Sequence, residues 1–353
     1  MENAIIAPSF LPDSAILEMG YACNHQCMFC SCPWEHEEGP YSRGAELTTD
    51  QWKQCIEKLV GMGVCHFSYT GGEPLLHPGI TEIMAYTATL KARHYNRRLE
   101  YEDRSPGQYL ITNGQFLTDE ILQLLHAQNI SLSLSLPGLK TYSDHTQQSG
   151  NPDNILNWFQ KASALGLKTV VNITVTKNNL HELYETVSNA FIAGAETLLL
   201  NRFLPGGRGM RYAEELLLNK EETIEMLLIA DEVLQKANRT GSTGTELPIC
   251  LTKDLELKIL RVGTRCAAAV EFFVIGPEGR VRTCNHSPVQ LEHYTEIEQL
   301  KTNPYWKKFV LKDYLPEMCQ GCNLSNICDG GCREAAHVYT GDVTGKDAVF
   351  LTD

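Results

Sequence analysis

The sequence lacks any surplus of positive charge: its 353 residues carry 30 Lys and Arg against 43 Asp and Glu, a formal net charge of −13. No face able to neutralise a run of phosphates is expected from that balance, which argues against a nucleic-acid partner. Long hydrophobic runs are also missing. No stretch approaches the length of a membrane span, and residues 1–22 show no basic start followed by an apolar segment. The expectation is a soluble, cytoplasmic protein with no membrane partner. Repeats and low-complexity tracts are absent too, leaving a globular chain long enough for a barrel-sized domain and a smaller second one.

Cysteine, by contrast, is abundant. Of thirteen in the chain, Cys23, Cys27, Cys30 and Cys32 sit together, Cys55 and Cys65 stand apart, and seven lie beyond residue 249. A disulfide framework needs an exported, oxidising setting that the N-terminus does not support, so metal or iron–sulfur ligation is the better reading. The central stretch is Cys23-Asn24-His25-Gln26-Cys27-Met28-Phe29-Cys30, spaced CX3CX2C. Three thiolates so close in sequence can converge on one centre only if the backbone folds tightly around it. Structural zinc sites and the [4Fe–4S] clusters of electron carriers are closed by four protein ligands. A loop with three is either incomplete or open to a further ligand.

Strand and helix patterns alternate after this loop. Residues 15–19, 65–69, 108–112, 130–136, 169–176 and 196–203 read as strands. Residues 49–62, with Trp52, Ile56, Leu59 and Val60 on one stripe, read as a helix, as do segments starting at Ile80, Thr118, Asn151 and Leu180. Six β/α units imply a parallel sheet with right-handed crossovers. Residues 130–136 and 172–176 alternate strictly between apolar and polar. A sheet covered on both faces would show continuous apolar runs. One polar face instead implies a partial barrel, with Ser131, Ser133, Ser135, Asn172, Thr174 and Thr176 facing a wet interior; a complete barrel more often fills its interior with branched apolar residues. Residues 91–107, with Arg93, Arg97, Arg98, Glu100, Glu102 and Asp103, read as a solvated helix end and loop. Residues 220–238 read as an amphipathic bridging helix, and 240–244 as a linker.

In α/β folds ligands bind at the C-terminal ends of parallel strands. Here those ends carry the cysteine loop, Gly71-Gly72-Glu73-Pro74, Asn113-Gly114, Pro137-Gly138, Lys177-Asn178 and Pro205-Gly206-Gly207-Arg208-Gly209. A GGEP segment one strand after CX3CX2C resembles the radical S-adenosylmethionine (SAM) superfamily. The resemblance implies a partial (β/α)6 TIM-like barrel in which Cys23, Cys27 and Cys30 hold a [4Fe–4S] cluster whose remaining iron is chelated by SAM. It also implies that Gly71, Gly72, Glu73 and Pro74 bind the methionyl amino group: glycines let carbonyls approach an ammonium, and Glu73 adds charge-assisted acceptance. Phe29 would lie near the adenine, and Asn113 and Ser135 would contact the ribose or carboxylate, with Asn172 in the same cofactor-binding set. The family's SLDG after the fourth strand is departed from here, with Pro137 in place of Asp. Cys32, Cys55 and Cys65 read as bystander thiols, and His25 and Met28 as spacers.

Downstream, residues 272–275 and 280–283 flank a Gly276-Pro277-Glu278-Gly279 turn and read as a hairpin that brings Cys266 near Cys284. Cys319, Cys322, Cys328 and Cys332 follow with CX2CX5CX3C spacing. Zinc ribbons also show paired CX2C units. Together with CX9–15GX4C, however, the pattern resembles the SPASM domain of radical SAM maturases, a small Cys-rich unit of a β-hairpin and short helices carrying auxiliary iron–sulfur clusters. The implied divisions are a barrel over 1–215, a bridge over 216–260 and the SPASM domain over 261–353. By the family's interleaved ligation, Cys266, Cys284 and Cys332 hold a first cluster, with Cys250 as fourth ligand, and Cys319, Cys322 and Cys328 hold a second. The pattern's last cysteine is missing after Cys332. Asp329, His337, Asp342 or Asp347 is then the candidate fourth ligand, the iron stays open, or only one auxiliary cluster forms.

The resemblance implies a maturase that cleaves SAM reductively to a 5′-deoxyadenosyl radical and abstracts hydrogen from a ribosomally made peptide, giving an oxidation or crosslink. A flavodoxin or ferredoxin would donate the electron. The 22 residues before Cys23 leave no room for the N-terminal recognition domain that many peptide maturases carry, which points either to a separate recognition protein or to the small-molecule rival below. The rival readings are a radical SAM enzyme acting on a heme-type tetrapyrrole or other small molecule, and an electron-transfer or zinc protein that does not cleave SAM.

Overall fold

The protein is described by a computed structural model that covers residues 10–95, 101–148 and 150–351. Strand β1 (Ser14–Glu18) leads into the cysteine loop, and α1 (Thr49–Gly61) follows. This helix is opened by a capping box between Thr48 and Gln51 and buries Trp52, Cys55, Ile56 and Leu59. Next come β2 (His66–Thr70), α2 (Ile80–Thr89), β3 (Ala92–Tyr95), β4 (Tyr101–Arg104), β5 (Gly107–Thr112), α3 (Asp119–Ala127) and β6 (Ser131–Ser135). The chain continues through α4 (Tyr142–Thr146), α5 (Pro152–Ala164), β7 (Thr169–Val175), α6 (Leu183–Ile192), β8 (Thr197–Arg202), α7 (Ala213–Leu216) and α8 (Lys220–Ala237). Then follow β9 (Thr240–Thr243), α9 (Ile249–Thr252), β10 (Leu260–Arg261), β11 (Phe272–Ile275), β12 (Val281–Arg282), α10 (Pro304–Val310) and α11 (Arg333–Thr340).

The main sheet runs β10-β9-β8-β7-β6-β5-β2-β1-β11-β12 and, among the described residues, does not close on itself. All pairs are parallel except the β11–β12 hairpin. The six strands expected from the sequence sit side by side at its centre. Along β7, Val171, Ile173 and Val175 are buried under helices, while Asn172 and Thr174 line an interior cavity. Ser135 lines it too. Ser133 lines a second cavity, of about 470 Å³. Ser131 is buried, and the expectation fails at Thr176, whose hydroxyl bonds to His145 Nε2 (2.8 Å) instead of facing the main cavity.

Three further readings change. The charged excursion of residues 91–107 contains an antiparallel ribbon, β3–β4, with Arg93 paired to Asp103; Arg97, Arg98 and Glu100 lie outside the described residues. The linker at 240–244 contains β9, which pairs with β8. Its Thr-Gly-Ser-Thr sequence has no apolar alternation, and it becomes a strand because β8 offers it an unpaired edge. Helix α8 is a layer of the barrel wall: it packs on α6, and its Asp231 accepts hydrogen bonds from the Lys258, Ile259 and Leu260 amides at 2.7–3.1 Å. On the opposite edge β11 pairs with β1, so the C-terminal hairpin extends the same sheet. Among the described residues no helix is long and apolar enough to cross a membrane.

Candidate active site

The C-terminal ends of the parallel strands open into a cavity of about 770 Å³. Cys23, Cys27, Cys30, Phe29, Gly71, Gly72, Glu73, Asn113, Ser135 and Asn172 all line it; Pro74 does not, and instead starts the short turn after Glu73. The cysteine loop is clamped from two sides. The Gln26 and Met28 amides donate to the Thr146 and His145 carbonyls (3.1 and 3.0 Å), and the Gly209 amide donates to the Cys30 carbonyl (3.0 Å). His25 is buried edge-on against Tyr142, and Met28 packs with Phe203 and Leu204, so both anchor the loop. The Pro205–Gly209 segment is the second clamp. A side chain at Gly207, where φ is +50°, would come within 2.3 Å of the Cys32 carbonyl oxygen. Arg208 pairs with Glu35 and reaches the Cys27 carbonyl at 3.4 Å.

Burial pushes the Cys23 thiol up to about 11 and Cys27 higher still, while Arg208 pulls both back. Cys30 runs the other way, held down by a hydrogen bond from the Cys32 thiol. Cys32, read as a bystander, thus lies against the loop, with its sulfur 3.4 Å from the Gly71 carbonyl. Thiols kept protonated by burial must release their protons when they bind a cation. Around one tetrahedral zinc, sulfurs lie about 3.8 Å apart, given a Zn–S bond near 2.3 Å. Among the described residues the only three His, Cys, Asp or Glu donors all within 4.8 Å of one another are Cys65, His66 and His94. Cys23, Cys27 and Cys30 do not meet that limit.

Glu73 is buried, and both its oxygens are engaged: Oε1 accepts from the Thr112 hydroxyl (2.6 Å) and Leu75 amide (3.1 Å), and Oε2 from the Asn113 amide (3.0 Å). Burial raises its pKa and these donors oppose the rise. Asn113 in turn donates to Asn24 (2.8 Å), tying β5 to the cysteine loop. The Gly72 and Glu73 amides donate to the Gly20 and Ala22 carbonyls (3.0 and 2.8 Å). A Cβ at Gly72 would fall 2.1 Å from the Ala22 oxygen, so glycine is needed where the two loops touch. Gly72→Ala is therefore expected to destabilise the apo protein by about 3 kcal/mol, measured by denaturant unfolding.

The C-terminal cysteines form two groups. Cys266, Cys284 and Cys332 are buried and line the same cavity as the N-terminal loop. The Cys266 amide donates to Asp329 (2.7 Å) and the Cys332 amide to Asp347 (2.8 Å). Asp347 is locked in a buried pair with Arg202 at 2.6 and 2.7 Å. Cys319, Cys322 and Cys328 lie outside the cavity lining, and Cys250 stands with them, away from its expected partners. The Ile249 and Gly330 amides both donate to Cys328 Sγ at 3.4 Å, and a Cβ at Gly330 would come within 3.2 Å of Cys319 Sγ. Beyond burial, the Cys250 thiol is raised by Cys328 and Cys322, and the Cys319 thiol by Cys328, Cys250 and Cys322.

The other candidate ligands are engaged. Asp329 accepts from Lys312 and Tyr314, His337 bonds to Tyr305 and Glu334, and Asp342 caps Thr344. The contacts that Cys250, Arg208 and His25 make were not visible in the sequence, because each is between distant segments.

An open α/β barrel with a three-cysteine loop at its strand ends, facing a cavity, defines an iron–sulfur enzyme of the SAM-cleaving class. The radical SAM superfamily profile matches residues 17–190. The PqqA peptide cyclase of Bradyrhizobium diazoefficiens is 24% identical over 357 residues, covering 96% of this chain and 85% of the relative. The AdoMet-dependent heme synthase of Methanosarcina barkeri is 25% identical over 365 residues, covering 96% of each. The crystal structure of Streptococcus suis SuiB bound to S-adenosylmethionine superposes with a TM-score of 0.72 at 16% identity, over 96% of this chain and 77% of that one. A second SuiB structure, bound to the precursor peptide SuiA, gives 0.72 at 15% identity, over 96% and 75%. The chain belongs to the radical SAM superfamily. It is an enzyme that uses SAM and a [4Fe–4S] cluster.

Proposed function

We propose that this enzyme matures a ribosomally made peptide, abstracting hydrogen from one of its residues and leaving it oxidised or crosslinked. The observation that carries this reading is the shared cavity: the Cys23–Cys27–Cys30 loop and the Cys266–Cys284–Cys332 group face one space. Substrate held between them could lose a hydrogen on one side and an electron to the other. The PqqA cyclase relative and the peptide-bound SuiB structure support a peptide as occupant.

When bound and reduced, the cluster at Cys23, Cys27 and Cys30 supplies the electron that cleaves SAM to the hydrogen-abstracting 5′-deoxyadenosyl radical. Around it the chain orients and shields. Glu73 is fixed by Thr112 and Asn113, ready to share a lone pair with an ammonium; Phe29, tilted on His145, offers an aromatic face; Ser135 and Asn172 present polar groups from the strand interior. The setting is the cytoplasm, with reduced flavodoxin or ferredoxin as donor.

The C-terminal ligands divide as an inner site with three thiols, Cys266, Cys284 and Cys332, and an outer site with four, Cys250, Cys319, Cys322 and Cys328. Supporting this is the place of Cys250 beside Cys328 and the engagement of Asp329, His337, Asp342 and Asp347 elsewhere. The open position then lies in the cavity, where substrate can reach it.

Reduced, reconstituted protein given SAM and the peptide of an adjacent short reading frame is expected to form 5′-deoxyadenosine in step with a peptide lighter by two hydrogens, read by mass spectrometry. Turnover of a heme-type tetrapyrrole with no peptide product would overturn the reading.

A further inference from the structure

Cys65, expected to be an idle thiol, stands with His66 and His94 at the N-terminal end of β2, away from the strand ends that carry the cysteine loop. One donor atom from each lies within 4.8 Å of the other two. Consecutive residues of a strand normally point to opposite faces. Here the Cys65 and His66 amides both donate to the Asp13 carbonyl, at 2.8 and 3.0 Å. Two residues facing one partner is the geometry of a β-bulge, which lets neighbouring side chains turn to the same side. His94 arrives from β3, its ring edge-on to that of His66 with centroids 5.3 Å apart.

The hydrogen bonding of His94 points the same way. Its Nε2 lies 3.1 Å from the Ser105 carbonyl, which can only accept, so that nitrogen carries the proton. Nδ1 is then a bare lone pair. His94 is 2% exposed, and Nδ1 is buried without a hydrogen-bond partner. A buried acceptor left unpaired costs about 1–3 kcal/mol, and a cation removes that cost. Histidine ligands commonly fix their tautomer in this way, donating the other ring N–H to a backbone carbonyl. One thiolate with two imidazoles is a donor set that suits zinc, and a single sulfur cannot hold an iron–sulfur cluster. His66 is exposed, which leaves the site an entry path and room for water.

We propose that Cys65, His66 and His94 bind one zinc ion, with water as fourth ligand, which staples the β3–β4 ribbon to the start of β2. The site is independent of the SAM chemistry. Zinc is to be measured by elemental analysis and zinc-edge X-ray absorption on the full-length, anaerobically purified holoprotein. About one zinc per chain is expected, with one sulfur near 2.3 Å and two nitrogens near 2.0 Å. Cys65→Ala and His66→Ala should each lower zinc occupancy at least tenfold, with iron content and SAM cleavage unchanged. His66→Ala alters an exposed side chain and guards against loss through misfolding, and His126→Ala, an exposed histidine elsewhere, should keep the zinc. Wild-type protein without stoichiometric zinc, zinc retained in both Cys65→Ala and His66→Ala, or a first shell of mostly sulfur would each overturn the proposal.

Discussion

Replacing Cys27 by alanine is expected to lower reductive 5′-deoxyadenosine formation by at least about a thousandfold, some 4 kcal/mol of barrier, while iron at the C-terminal cysteines remains. Cys27 is the middle thiol of a loop whose backbone is held by Thr146, His145, Gly209 and Arg208. That clamping makes the loop a rigid frame, so no neighbouring group can swing in to replace a lost corner. Cys32 is a neighbouring thiol, but its single S–H is already engaged with the Cys30 sulfur or the Gly71 carbonyl. Chromatographic assay of 5′-deoxyadenosine and iron analysis of the same sample test both halves. SAM cleavage at the parental rate would remove Cys27 from the cluster.

The second large effect concerns Cys250. In a background with Cys23, Cys27 and Cys30 replaced by alanine, two auxiliary [4Fe–4S] clusters correspond to about eight irons per chain. Adding Cys250→Ala is expected to lower that content and to change or erase one of two paramagnetic signals. On the proposed division, a small added thiol should shift only the other signal, because the inner site alone would have a position unfilled by cysteine and open to the cavity. If Cys250→Ala leaves iron and spectrum untouched, Cys250 is not a ligand. If the thiol shifts the signal that Cys322→Ala removes, the open position belongs to the outer site. About four irons in the triple variant would mean that one auxiliary cluster does not form.

The central strands were legible because each carries its own pattern: alternation in residues 130–136 and 172–176 needs no knowledge of the rest of the chain. Strand β9 was not legible, since Thr240–Thr243 becomes a strand only through the free edge of β8. The GGEP segment was recognisable, but the packing that requires its second glycine was not. Gly72 is required by the touching Ala22 carbonyl, a contact between loops that no single segment announces. The same holds for Cys65 and His66, whose convergence depends on a bulge created by Asp13.

Spacing along the chain therefore determined what is local in this protein: a three-thiol loop, a period-two polar face, and turns at the strand ends. Those follow from backbone geometry within a few residues, which the order of side chains encodes directly. Which distant cysteines lie together was decided only by tertiary structure. Cys250 joins Cys328 and not Cys266 because α9, leaving β9, sets the Ile249 amide against the Cys328 sulfur, while Asp329 and Asp347 hold the Cys266 and Cys332 backbone at the cavity wall. Ligand sets depend on where sulfur atoms end in space, and that is fixed by how the segments cross.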